Sequence, residues 1–180
     1  MEYVEKAQQK TADGETSVSV MARIWRICAH PQWRESVRRI AGLEQTRKFC
    51  RHDTAHFLDV ARLAWIENLE RGLGISKEWI YAAGLLHDIG RGLEYEKGIP
   101  HDEGSVMVAE EILRDCGFTD EEQKEILDAI ASHRTAKTRT LDNLAGLIYR
   151  ADKASRMCLF CEAEAECNWG AEKKNRVLKG

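Results

Sequence analysis

A chain of 180 residues with a formal charge of -3 is long enough to bury one sizeable core and too short for several domains of ordinary size. That balance argues against a general polyanion-binding surface, while leaving room for a local group of Arg and Lys around an anionic substrate. Only 2 prolines interrupt the chain, charged residues make up 32 % of it, and Ala, Leu, Glu, Arg and Ile recur, so the expected class is all-α.

Residues 1–16 are polar and read as a flexible N-terminal segment without a signal-peptide core. No later run approaches the roughly 20 apolar residues of a membrane span, so a cytoplasmic location without membrane contact is expected. Residues 17–160 read as one helical domain and 161–180 as a Cys-bearing tail. From "SVSVMARIWRICAH" onward, Val20, Ile24 and Ile27 recur at helical intervals, and Pro31 marks the end of that helix or the start of the next. Residues 54–71 give the clearest long helix. Phe57, Ala61, Ala64, Trp65 and Leu69 fall on one stripe, and "RGLG" at 71–74 stops it. Ser76 is placed to cap the next helix, which runs through "AGLL" into His87. His101 follows Pro100 at a helix start. Thr119 and Glu122 make a capping box before Ile126, Leu127 and Ile130, and a last helix is expected over 141–160.

The metal-capable side chains gather at the ends of these helices. His56 opens one, His87 and Asp88 end the next, His133 ends the capping-box helix, and Asp152 lies inside the last. Singly, each histidine reads as a cap or a core residue, and Asp152 as half of a salt bridge with Arg150 or Arg156. Together, imidazole nitrogens and carboxylate oxygens from distant helices suit Mn²⁺, Fe²⁺, Co²⁺, Zn²⁺ or Mg²⁺.

"HFLDVARLA" at 56–64, "GLLHDIGR" at 84–91, "HDEGSVMVAEEIL" at 101–113, "AIASH" at 129–133 and "YRADK" at 149–153 resemble the successive motifs of the HD-domain metal-dependent phosphohydrolases. The resemblance implies a helical bundle with its metal site in the core, held by His56, His87, Asp88 and Asp152. His101 and His133 stand where some members carry ligands for a second ion, which implies a divalent pair. Four neutral imidazoles and two carboxylates carry -2 against +4 from two ions, so the centre keeps +2 and attracts phosphate. The resemblance makes Asp88 a bridging ligand of a metal-activated water. Arg91, where many relatives have lysine, is a candidate catalytic and substrate-binding clamp; Lys153 is a candidate for both roles and Arg134 for binding.

The motif pattern is most similar to bacterial hydrolases that split dinucleoside tetraphosphates symmetrically, although "HRTAKTRT" replaces their usual Thr-Thr-Gly. It implies a small phosphorylated substrate of nucleotide type and no nucleic-acid polymer. The Gly-Tyr-Pro signature of the cyclic-dinucleotide branch is absent. Two other readings of the same ligands are a regulatory binding module and a diiron oxygenase; oligomeric state is not legible.

Neither motif accounts for Cys50 or for "CLFCEAEAEC" at 158–167. If the helices at His56 and Asp152 run antiparallel, six residues back from one and forward from the other cover about 9 Å in the same direction. Cys50 and Cys158 then approach each other, with Cys161 one turn on and Cys167 beyond. Four thiolates, or three with His52, would make a closed structural zinc site; ordinary reduced thiols are the plainer reading.

Overall fold

The computed structural model describes residues 21–177; the polar stretch 1–16, Val20 and residues 178–180 lie outside them. All regular structure among the described residues is helical. Helix α1 (Ala22–Ala29) buries Ile24 and Ile27, and only His30 separates it from α2 (Pro31–Leu43), where Pro31 supplies a preset φ in the first turn. Helix α3 (Thr54–Glu70) is capped by Asp53, whose carboxylate accepts from the His56 amide at 2.9 Å.

The buried stripe of α3 is His56, Phe57, Val60, Ala61, Ala64 and Asn68, whereas Leu69, assigned to it by periodicity, is 59 % exposed. Asn68 takes the inward place because it closes the following turn. Its amide donates to the Ile75 carbonyl at 3.2 Å, and its side-chain oxygen accepts from the Ile75 amide at 3.0 Å. Ser76 stands at the start of α4 (Lys77–Leu86), but its hydroxyl makes no capping bond.

After a tight turn come α5 (Arg91–Lys97), which the periodicity did not predict, α6 (His101–Asp115) and α7 (Asp120–Ser132). The Thr119–Glu122 capping box forms in both directions at the start of α7. Helix α8 (Leu144–Ala154) is shorter at both ends than the predicted 141–160. The Asn143 side chain accepts from the Gly146 amide and fixes its start. At its other end the Ala154 carbonyl accepts from Nδ2 of Asn175, a distant residue, instead of from another turn of helix.

Helix α4 is the centre of the bundle, in contact with α1, α3, α7 and α8. It is accordingly apolar nearly all round, with Ile80, Ala82, Ala83, Gly84, Leu85 and Leu86 buried. A Cβ at Gly84 would stand 2.8 Å from that of Ala61, so the close approach of α3 to α4 requires glycine there. No helix of the described residues is long and apolar enough to cross a membrane.

Candidate metal centre

Helix ends carry their polar side chains to one point. His56 lies in the first turn of α3, His87 caps the C-terminus of α4, Asp88 follows it, His101 opens α6, His133 caps α7, and Asp152 lies in the last turn of α8. All six are buried. The turn bearing His87 and Asp88 is clamped on both sides. The Trp33 indole donates to the Leu85 carbonyl at 3.1 Å, and the Gly90 amide donates to the Ser105 hydroxyl at 2.9 Å. A Cβ at Gly90 would collide with the backbone of α6, so glycine lets that helix press directly on the turn. Leu85 and Leu86, sealed in the core, therefore give the two polar residues a fixed seat.

The two oxygens of Asp88 face different partners. Oδ2 lies 3.3 Å from His87 Nε2 and 3.6 Å from His56 Nε2, while Oδ1 lies 3.3 Å from His101 Nε2 and 3.6 Å from His133 Nε2. Asp152 Oδ1 completes the first group, 3.6 Å from His56 Nε2. Two sets of donors result, His56/His87/Asp88/Asp152 and Asp88/His101/His133, with the ligand atoms of each within 4.8 Å of one another and Asp88 common to both.

The hydrogen bonds of the imidazoles test whether this set fits divalent ions. His87 Nδ1 bonds the Gly84 carbonyl at 2.8 Å, His133 Nδ1 the Ile130 carbonyl at 2.6 Å, and His101 Nδ1 the Glu94 carboxylate at 2.9 Å. Each of these oxygens accepts a proton held on Nδ1, which leaves the lone pair on Nε2. Nε2 of His87, His101 and His133 is buried without any hydrogen-bond partner. Buried polar atoms are rarely left so, and three of them aimed at one carboxylate are an arrangement that a cation completes. The donor set fits.

Charge states agree at two of the histidines and both carboxylates. Burial pulls His56 and His101 down to about 4, so both rings are neutral near pH 7, whereas Asp88 and Asp152 raise His87 against burial. Burial opposes ionisation of Asp88, but the neighbouring His87, His133 and His56 outweigh it and hold the carboxyl well below its usual range. Asp152 is lowered likewise, against burial, by His87, Lys153 and Arg156. Neutral imidazoles and ionised carboxylates are the forms that bind metal.

Sequence reasoning missed four supporting residues. His52, considered only as a ligand beside the cysteines, is buried with Nε2 3.7 Å from Asp88 Oδ2. Its Nδ1 meets buried Glu44 at 2.5 Å, and Glu44 also accepts from the Tyr95 hydroxyl. Arg156, noted only as half of an ordinary salt bridge, is buried with Nη2 3.3 Å from Asp152 Oδ1 and 3.2 Å from His56 Nε2. Glu94 supports His101 from α5. Spacing of His52 four residues before His56 was the one available signal, and it is masked because Asp53 starts the helix between them.

Beside the centre opens a cavity of about 290 Å³. His52 and Asp152 reach its wall, and Arg47, Arg91, Lys153, Arg156 and Lys174 make that wall cationic. Phe49 and Trp169 add two aromatic faces. Arg91 is mostly buried, with Nε 3.1 Å from Asp88 Oδ1 and Nη1 3.0 Å from Glu94. Lys153 Nζ lies 2.5 Å from Asp152 Oδ2. Arg134 is not among the lining residues; it is half-exposed and pairs with Asp102 at 3.3 Å. Cys50, Cys158, Cys161 and Cys167 all line the cavity, yet no three of these sulfurs lie within 4.8 Å of one another. Cys158 and Cys161 stand beyond the end of α8, on a 3₁₀ turn and its flank, because that helix stops at Ala154.

The profile of the HD domain matches residues 54–157, more than half of the chain. An uncharacterized protein of Clostridium beijerinckii is 48 % identical over 139 residues, covering 77 % of this chain and 87 % of that one. Ribonuclease Y of Mycoplasma mycoides is 31 % identical over 121 residues, and Ribonuclease Y of Acetivibrio thermocellus 32 % over 126. These matches cover 67 % and 70 % of this chain but only 26 % and 21 % of the two relatives. No solved structure matches.

Proposed function

Since this chain belongs to the HD-domain family, we propose that it is a metal-dependent phosphohydrolase acting on a nucleotide or another small phosphate ester or anhydride. The cavity carries this reading: about 290 Å³ of space against Asp152, walled by Arg47, Arg91, Lys153, Arg156 and Lys174. Five cations around so small a volume suit one or a few phosphate groups, and Phe49 and Trp169 offer stacking faces for a base.

Divalent ions held by His56, His87, Asp88, Asp152, His101 and His133 would supply Lewis acidity and lower the pKa of water. Mn, Fe, Co, Zn and Mg are all compatible with mixed nitrogen and oxygen donors. The protein's own part is positioning. Asp88 serves both donor groups with one carboxylate, fixed by a turn that cannot shift without disturbing the core. Arg91, tethered by Asp88 and Glu94, presents its remaining donors toward the cavity as a phosphate clamp. Lys153 adds a second cation next to Asp152, and its Nζ lies 5.3 Å from the centre of the Tyr149 ring.

Within the substrate class, the motif pattern favours a dinucleoside tetraphosphate. RNA is the second reading, favoured by the likeness to two proteins named Ribonuclease Y. Metal-depleted protein, reloaded with Mn²⁺ or Fe²⁺, should release product from mononucleotides or dinucleoside tetraphosphates in repeated turnovers and leave end-labelled RNA intact. Cleavage of RNA alone would move the assignment to the second reading. Loaded protein inert toward all three would overturn the hydrolase.

A further inference from the structure

The segment after α8 is held by little packing. Residues 155–177 form only 3₁₀ turns and bends. Arg156, Cys158 and Ala163 are buried, while Phe160, Met157 and Leu159 are 71 %, 56 % and 48 % exposed. Surface ion pairs such as Lys48–Glu166 and Arg176–Glu164 stabilise weakly. A stretch of this length that stays in one place without a core needs another tie.

What the segment carries is cysteines around one space. Cys158, Cys161 and Cys167, with Cys50 from the loop before α3, line the cavity wall. The Cys161 amide donates to the Cys158 carbonyl at 3.3 Å, so a single closed turn presents that pair. Across from it, Arg47 Nε donates to the Cys50 carbonyl at 2.8 Å and Arg156 Nη1 to the Arg51 carbonyl at 3.3 Å, fixing the loop that bears the fourth thiol. Cavity desolvation raises the Cys50 thiol against the pull of Arg156, and nearby Cys158 and Cys161 raise it further.

We infer that Cys50, Cys158, Cys161 and Cys167 form a second metal site, a four-thiolate seat for a four-iron, four-sulfide cluster that ties the tail over the His/Asp centre. Size selects the occupant. One zinc ion with Zn–S bonds of about 2.3 Å brings its sulfurs to about 3.8 Å apart. No three of these four sulfurs lie within 4.8 Å of one another, yet all four residues line one cavity. A cubane, each of whose irons takes a different thiolate, holds its sulfurs farther apart than a single zinc ion does. Four thiolates on a 2+ core leave a charge of about -2, which Arg47, Arg156 and Lys174 on the same wall offset; the cluster takes the cysteine side of the cavity and leaves Arg91 and Lys153, bonded to Asp88 and Asp152, for the phosphate of the proposed substrate.

Acid-labile sulfide separates this site from the His/Asp centre, which contains none. Full-length protein purified without oxygen should hold about four sulfides per chain and absorb broadly near 400 nm. Cys161→Ser should lose both signals while keeping its thermal midpoint above room temperature and its Mn²⁺ binding at the His/Asp centre. Cys28→Ser, altering a thiol outside the cavity, should lose neither. Wild-type protein lacking sulfide after iron and sulfide reconstitution overturns the proposal, whether its four thiols then titrate freely or protect a zinc ion.

Discussion

Asp88 is the one residue whose loss removes a ligand from both donor groups, because its two oxygens point to different histidine pairs. Asp88→Ala should therefore abolish tight binding of both ions and reduce hydrolysis to background, whereas His101→Ala should spare the ion at His56, His87 and Asp152. Metal content after gel filtration checks this; an Asp88→Ala protein that retains two ions would refute the shared-carboxylate geometry. Glu94→Gln leaves every ligand in place but weakens the acceptor behind His101, and such outer contacts change metal affinity about 10–100-fold. Arg91→Ala should cost about 1.5–3 kcal/mol of phosphate contact, read as a rise of one to two decades in KM over kcat. An unaltered KM would make Arg91 a support for Asp88 alone. The six proposed ligands were legible through the ordered motifs that resemble the HD family, and five of them also lie at helix ends that capping or periodicity locates, whereas Asp152 was read inside a longer helix. His52 and Glu44 were not, since they meet through an irregular loop, where residue spacing does not determine direction.

Element boundaries follow the same logic. Helix α7 was legible because its start is written locally, in Thr119 and Glu122, whereas the end of α8 depends on Asn175, 21 residues beyond the carbonyl it bonds. Helix α5 spans 7 residues, too few for a helical period to show, and is closed by Gly98 at φ 69°. The capping box also does more than begin a helix. Glu122 is bound by both terminal nitrogens of Arg23 from α1 and by the Trp79 indole of α4, so one carboxylate joins three elements. The Arg23 hydrogen bond, with help from Thr119 and Trp79, lowers Glu122 from 4.5 to about 2. A carboxyl depressed in the folded state stabilises the protein above its unfolded pKa, and that contribution is lost as pH falls through the folded value. Glu122→Gln should thus lower stability at pH 7 by about 1 kcal/mol and flatten the decline between pH 4.5 and about 2. Urea titrations across that range measure both effects. Part of the slope should persist, because Glu44, held at about 2 against burial by His52 and Tyr95, titrates in the same window. Parallel wild-type and variant curves would exclude Glu122 from the acid limb.

On the scale of the molecule, the helices supply a rigid floor and the irregular segments supply the roof. The proposed ligands lie on α3, α4, α6, α7 and α8 or the turns that end them, whereas Phe49, Trp169 and Lys174 reach the adjoining cavity from segments without α-helix. The proposed metal ligands and the aromatic part of the cavity wall thus lie on different parts of the chain, and the HD profile, confined to residues 54–157, reaches only the first. Trp169 provides the discriminating experiment. If it stacks on a base, Trp169→Ala removes about 1–3 kcal/mol from nucleotide binding, a rise in KM of about 5- to 150-fold. Metal content and the KM for a phosphate ester without a ring, such as phosphoserine, should stay unchanged, because Trp169 stands on the roof and contributes no donor to the floor. Equal losses for both substrates would mean that the indole only shapes the cavity. Unchanged values for both would place the base elsewhere and make Phe49, on the opposite margin of the sequence, the next residue to replace.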